Sequence, residues 1–308
     1  MGNTKTMVKR NLPELARSYF GGLTHAHTVL SNHTGHHESD LTIDRIVATM
    51  TDAELVRGDD CPFEYIMLNE HPSDPAQPRR LGRFSPRGRR LLKQRRRPTV
   101  GGVHVLYGLE VSFLPNGLTD LTPRLNDHCA LVIASRHSLP RSIEHNTDAI
   151  SELFESGCHS PVIGVLGHPP RYIENNTKVN WERIFNTAAK TGTAIEINLN
   201  TFPNSESDLT QHQFWAHWLT LLARSKAPVF IGTDLHNHLQ LGTFIHEWGN
   251  LGQKNPEYNH VAAFVTALDT AGISPGQVVT RSYETLTEWL ALDKAGRAKL
   301  CLTRVRLP

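Results

Sequence analysis

Six short apolar runs in this chain end in a histidine or a carboxylate, and that recurrence constrains the fold more than any single motif. Gly21-Gly22-Leu23 leads into Thr24-His25-Ala26-His27, with His33 six residues further on. Later runs deliver His71, Glu110, His137, His168 and the pair Asp234/His236 in the same manner. Side chains alternate faces along a strand, so His25 and His27 are expected to point the same way, toward one site. Neutral imidazoles converging from a strand end suit a borderline or transition-metal cation. An isolated His-x-His would read as a chance surface pair. The recurrence decides for a shared site.

These six runs and a seventh, Ala194–Asn198, read as buried strands: residues 19–23, Glu64–Leu68, Val103–Leu109, Cys129–Ala134, Val162–Leu166 and Pro228–Gly232 are the six. Between them the apolar spacing predicts helices over 40–48, from Asn146 to Ser156 with Gly157 as the stop, over 181–189 ending at Gly192, and over 213–223. Two more are predicted, over 262–270 and 283–292. Near-continuous apolar strands alternating with helices indicate a parallel sheet covered on both faces. Polar residues at the C-terminal end of nearly every strand argue for closure into a TIM-like barrel, because closure brings those ends together. Residues 1–18 read as a polar lead-in, and 19–308 as a single barrel domain.

Charge and cysteine usage bound the function class. The formal net charge is only +2, yet Arg79–Arg97 holds ten Lys/Arg and no Asp/Glu, leaving 22 basic against 30 acidic residues elsewhere, a net of −8. That segment is expected to be a solvated outer face, a nucleic-acid contact or a docking surface for an acidic partner protein. Only Phe84 interrupts it as an aromatic, which argues against base stacking. Four scattered cysteines without Cys-x-x-Cys spacing read as thiols in a reducing compartment. With no apolar run approaching the ~18 residues of a membrane span and no signal-peptide core, the expected location is the cytoplasm. An oligomer is compatible with all of this.

The strand-end groups total nine candidate ligands: His25, His27, His33, His71, Glu110, His137, His168, Asp234 and His236. A catalytic zinc takes about three protein ligands and keeps an open position, so nine suit two or three metals. A carboxylate such as Glu110 can bridge two cations, which a neutral imidazole cannot. On these motifs the chain resembles the PHP (polymerase and histidinol phosphatase) domain family. The successive family motifs are matched by His25-Ala26-His27 with His33, Asn69-Glu70-His71, Gly108-Leu109-Glu110, Ser135-Arg136-His137, Gly167-His168-Pro169 and Thr233-Asp234-Leu235-His236. The resemblance covers about residues 20–290 and extends to stand-alone bacterial phosphoesterases and to the PHP domain of bacterial family X DNA polymerases.

The resemblance implies an α/β fold, a distorted (β/α)7 barrel with a trinuclear centre of Zn, Mn or Fe at the C-terminal ends of the strands. It implies that His25, His27, Glu110 and Asp234 hold one metal, Glu110, His137 and His168 a second, and His33, His71 and His236 a third. One departure is Glu70, where the family has Asp before the second-motif histidine; a longer carboxylate there is expected to shift His71. The activity implied is hydrolysis of a phosphate ester by metal-activated hydroxide, as a phosphatase or as a nuclease on nucleic-acid ends. Glu110, Asp234, Arg136 and Arg171 are the expected catalytic residues, the two arginines clamping a phosphate. An outward salt bridge is the alternative for each arginine. Glu196 and Asn198 share a strand face and either line the site or bond at the edge of the core. The alternatives are an amidohydrolase-type hydrolase, which also uses His-x-His after its first strand, and a PHP subunit working with a partner protein in a nucleic-acid-processing complex.

Overall fold

The computed structural model describes residues 11–31, 39–51, 63–72, 98–114, 119–121, 129–137, 143, 145–171, 178–203, 209–251 and 259–304. His33 and the basic segment Arg79–Arg97 lie outside them. Among the described residues no helix is long and apolar enough to cross a membrane.

The strands in chain order are β1 (Gly22–Ala26), β2 (Tyr65–Glu70), β3 (Thr99–Val100), β4 (Val103–Ser112), β5 (Leu131–Ser135), β6 (Val165–Gly167), β7 (Ala194–Asn198) and β8 (Val229–Gly232). Seven of them pair in parallel in the order β1-β2-β4-β5-β6-β7-β8, as the alternation of runs and helices anticipates. The short β3, absent from the sequence-based expectation, folds back antiparallel on β4 through Gly101-Gly102, both at positive φ. The seam between β8 and β1 closes in two ways. At the top the chains meet directly: the Thr233 N–H donates to Thr24 O at 2.8 Å and the His27 N–H to Leu235 O at 2.9 Å. Lower down, residues 278–280 fill the gap. The Val279 N–H donates to Val229 O at 2.8 Å, and the Gly21 N–H donates to Thr280 O at 3.2 Å. The barrel is therefore nearly closed and distorted, as expected.

Two apolar layers hold it. Outward-facing Ile66, Leu68, Val132, Leu166, Ile195 and Ile231 join the larger cluster under the surrounding helices. Inward-facing Tyr65, Met67, Leu131, Ile133, Val165, Ala194 and Phe230 fill the lumen. The C-terminal helices, Tyr283–Leu290 and Lys294–Arg304, plug its lower end with Leu286, Trp289 and Cys301. Trp289 is fully buried, so Trp289→Ala is expected to cost about 3–5 kcal/mol. Above this apolar floor the same inward positions turn polar. Met67 gives way to Asn69, Ile133 to Ser135, Ala194 to Glu196 and Phe230 to Gly232. The period of two thus carries the packing pattern straight into the site.

Several helices differ from expectation. Within the expected lead-in, Leu12–Tyr19 forms helix α1, whose Leu15, Ala16 and Tyr19 are buried. Pro13 fits its first turn, and the three-to-four-residue spacing of its apolar side chains supplies one buried face. Helix α2 (Ile43–Met50) starts at Thr42, whose hydroxyl accepts from the Arg45 N–H, and not at Asp40. Helix α3 (Thr147–His159) runs past Gly157. That glycine is buried, and a Cβ there would meet the Phe113 ring at 2.8 Å, so it serves close packing and does not stop the helix. Gly192, at φ 72°, does end α4 (Trp181–Thr191) as expected. Helix α5 (Leu209–Ser225) covers the predicted 213–223. Helix α6 (His238–Gly249), directly behind the last ligand motif, is an addition to the expected set.

Candidate metal centre

Eight of the nine candidate ligands lie among the described residues, and the fold brings all eight to the top of the barrel around Glu110. Glu110, inward-facing on β4, is 1 % exposed. Its Oε1 lies 3.1 Å from His137 Nε2 and 2.8 Å from His168 Nε2. Its Oε2 lies 3.0 Å from His25 Nε2 and 3.3 Å from both His27 Nε2 and His71 Nε2. Asp234 supplies the second carboxylate, with Oδ1 at 3.5 Å from His27 Nε2, 3.8 Å from His25 Nε2 and 3.6 Å from His236 Nδ1. The rings of His71 and His236 stack on that of His27, with centroids 4.6 and 4.3 Å away.

The pair His25/His27 shares one site, but not by plain alternation. The β1–β2 register shifts between Leu23 and Ala26, and His25 has φ 56°. A bulge of this kind re-aims a side chain. His168 and Asp234 also have positive φ, 26° and 51°. Such backbone costs about 1–3 kcal/mol per residue and persists where the surroundings over-determine it.

Those surroundings hold four of the imidazoles from behind. Ser31 Oγ lies 3.1 Å from His27 Nδ1, and Ser112 Oγ lies 2.9 Å from His137 Nδ1. Glu196 Oε1 lies 2.5 Å from His25 Nδ1, and the carbonyl of Asp234 lies 3.0 Å from His236 Nδ1. With Nδ1 engaged behind, Nε2 of His25, His27 and His137 is the atom presented to the centre. Glu70 does not displace His71 from the cluster. It folds over the loop after β1, accepting from the Thr28 hydroxyl at 2.5 Å and the Ser31 hydroxyl at 2.6 Å. The longer carboxylate thereby steadies Ser31, which in turn touches His27 and accepts from the His71 N–H at 3.3 Å. Sequence reasoning does not identify Ser31, Ser112 and Glu196 as ligand supports; an Ile-Glu-Ile-Asn run that places an acid in a barrel lumen is the available signal for the last.

The donor set fits divalent cations. His25 Nε2 and His27 Nε2 are buried and face a carboxylate oxygen without making a hydrogen bond. Ligand atoms fall within 4.8 Å of one another in three groups: His25/His27/Glu110, His71/Glu110/His137 and His27/His71/His236. The second has His71 where the expected grouping had His168, and the third has His27 in place of His33, which lies outside the described residues. Electrostatics are those of a site built for positive charge. Burial penalises the imidazolium of His25, but Glu196 and Glu110 outweigh it and push its pKa well above the ordinary value. His27 carries the same penalty and is held at about 9 by Asp234 and Glu110. Burial drives His236 the other way, to about 4, with His27 beside it. Burial would also raise Glu110 and Asp234, yet the surrounding imidazoles keep both well below the usual carboxylate range.

The arginines divide. Arg171 is about a third exposed, and its Nη1 donates to Asp234 Oδ2 at 2.8 Å. Arg136 is buried at 2 %, with Nη2 donating to the carbonyl of Arg171 at 3.2 Å.

No protein-family model matches the chain. Over 198 residues it is 30% identical to a probable phosphatase of Syntrophotalea carbinolica, an alignment spanning 62% of this chain and 71% of that protein. Over 137 residues it is 28% identical to the DNA polymerase/3'-5' exonuclease PolX of Bacillus subtilis, spanning 43% of this chain but 22% of the polymerase. Among solved structures, histidinol phosphate phosphatase from Lactococcus lactis, complexed with zinc, L-histidinol and phosphate, matches with a TM-score of 0.50. That match covers 82% of this chain and 94% of the other at 17% identity, a likeness of fold. Joined to the motif order and the barrel, the similarity to the phosphatase shows that the chain belongs to the PHP family.

Proposed function

We propose that the protein is a metal-dependent phosphoesterase, with up to three divalent cations of zinc, manganese or iron held by His25, His27, His33, His71, Glu110, His137, His168, Asp234 and His236. The observation that carries this reading is the meeting of five imidazole nitrogens within 3.3 Å of one buried carboxylate, Glu110. When bound, such cations supply a hydroxide at neutral pH and neutralise phosphoryl charge. Glu110 offers one oxygen to His137 and His168 and the other to His25, His27 and His71, which is the arrangement of a bridging carboxylate. Asp234 faces the histidines with Oδ1 and leaves Oδ2 to Arg171. Arg171 is the phosphate contact in this reading, since its guanidinium reaches both the centre and solvent. Arg136, buried beneath it, holds the Arg171 backbone in place.

The test is metal analysis of the purified protein together with phosphate release from nucleotides, sugar phosphates and oligonucleotides. Bound divalent metal with release that a chelator abolishes is expected. A metal-free protein, or release indifferent to chelation, overturns the reading. A second reading, hydrolysis at nucleic-acid ends, is favoured by the PolX relative and by the ten basic residues of Arg79–Arg97. On that reading, changing Arg89, Arg90, Arg95, Arg96 and Arg97 to Ser flattens the salt dependence of oligonucleotide turnover by ~0.7–0.9 in log-log slope for each phosphate no longer neutralised. An unchanged rate and slope would make Arg79–Arg97 a solvated face or a partner-docking site and remove it from substrate binding.

A further inference from the structure

Glu196 is fully buried, inward-facing on β7, and stands outside the ligand set. Its two oxygens go to two different ligand-bearing segments. Oε1 accepts from His25 Nδ1 at 2.5 Å, with the Asn198 amide 3.4 Å away on the same oxygen. Oε2 accepts from the backbone N–H of His168, also at 2.5 Å. Both histidines have positive φ, so both need an external tie to keep their strained backbone. Space for the carboxylate comes from the neighbouring strand: a Cβ on Gly232 of β8 would fall 1.8 Å from Glu196 Oε1. The inward-facing positions below it in the lumen are apolar, so a buried carboxyl here has no purpose in packing.

We propose that Glu196 is a positioning residue of the centre, one carboxylate that fixes the ring of His25 and the backbone of His168 and so couples two of the three metal positions. The inference rests on the proposed function above. By accepting from the Nδ1–H of His25, Glu196 turns Nε2 of that ring toward Glu110, 3.0 Å away. By accepting from the His168 N–H it sets the turn that carries Nε2 of His168 to the other oxygen of Glu110, at 2.8 Å. Glutamine cannot do both. If its amide oxygen accepts from His25, its NH2 meets the N–H of His168, donor against donor; turned over, it presents a donor to His25 Nδ1 and reverses the tautomer.

The experiment measures the affinity of each metal position by chelator competition, with Co(II) absorption reporting the ligand geometry, in wild type, Glu196→Gln and Gly232→Ala. Gly232→Ala keeps the acid and displaces it, so it separates position from charge. Both variants should weaken the two positions served by His25 and His168 by ~10–100-fold and shift their Co(II) bands. The position at His71 and His236 should be unchanged. A folded Glu196→Gln protein with all positions as in wild type overturns the assignment. So does an equal loss at all three, which would mark general loosening of the barrel. Wild-type protein that binds no metal overturns the proposed function itself.

Discussion

Replacing Glu110 with glutamine keeps the size of the side chain and removes one negative charge from the point where five imidazoles meet. A carboxylate and a divalent cation about 3 Å apart at an effective dielectric of ~20 interact by roughly 11 kcal/mol. If neighbours and solvent recover three quarters of that, about 2.5–3 kcal/mol remains, roughly two decades in affinity for each cation held. Both oxygens of Glu110 are engaged, so the loss falls on two positions together. With the charge that steadies the transition state also gone, phosphate release should fall by roughly 10³-fold. The apolar lumen below is untouched, so the fold should persist. Phosphate release at matched metal concentration is the assay, with metal content and circular dichroism recorded on the same preparation. A well-folded Glu110→Gln protein with wild-type turnover and wild-type metal content would refute the reasoning.

Removing metal should destabilise the fold: at free metal 100-fold above Kd, binding contributes about 2.7 kcal/mol. At roughly 2 °C per kcal/mol for a chain of this size, a chelator should lower Tm by about 5 °C, and an unchanged Tm would count against bound metal in the native protein. Arg171→Ala removes a charged hydrogen bond from a partly exposed position and should lower kcat/KM by roughly 10–100-fold, read from initial rates on the best ester found; equal rates would remove Arg171 from the site. Burial pushes the Cys158 thiol up to about 12 and that of Cys301 up to about 11. At pH 8 both are therefore protonated, and a thiol-disulfide reagent should label neither until denaturant is added; labelling of either in the native state would show that α3 or the C-terminal helix opens.

How legible the centre is in sequence depends on where each residue's signal lies. His71, Glu110, His137, His168, Asp234 and His236 close apolar runs, so strand periodicity alone delivers them to one end of a parallel sheet. His25 is legible by type but not by geometry, because the bulge before Ala26 depends on pairing with β2. Glu196 is ambiguous in sequence for a related reason: whether an acid between Ile195 and Ile197 faces solvent or the lumen depends on closure of β7 between β6 and β8. Helix α6 escapes because its start overlaps the last ligand motif, though Asn237 and Gln240 form the capping box that marks it. Gly157 reads as a stop because a glycine beside a helix end and one packed under Phe113 look alike without the neighbour.

Whether these side chains hold metal ions around Glu110 is tested most directly by anomalous diffraction from crystals of the metal-loaded protein. Strong peaks are expected at the top of the barrel, about 2.0–2.2 Å from Nε2 of His25, His27, His137 and His168 and from both oxygens of Glu110. Crystals with full metal occupancy elsewhere and no peak within that distance of Glu110 would contradict the assignment.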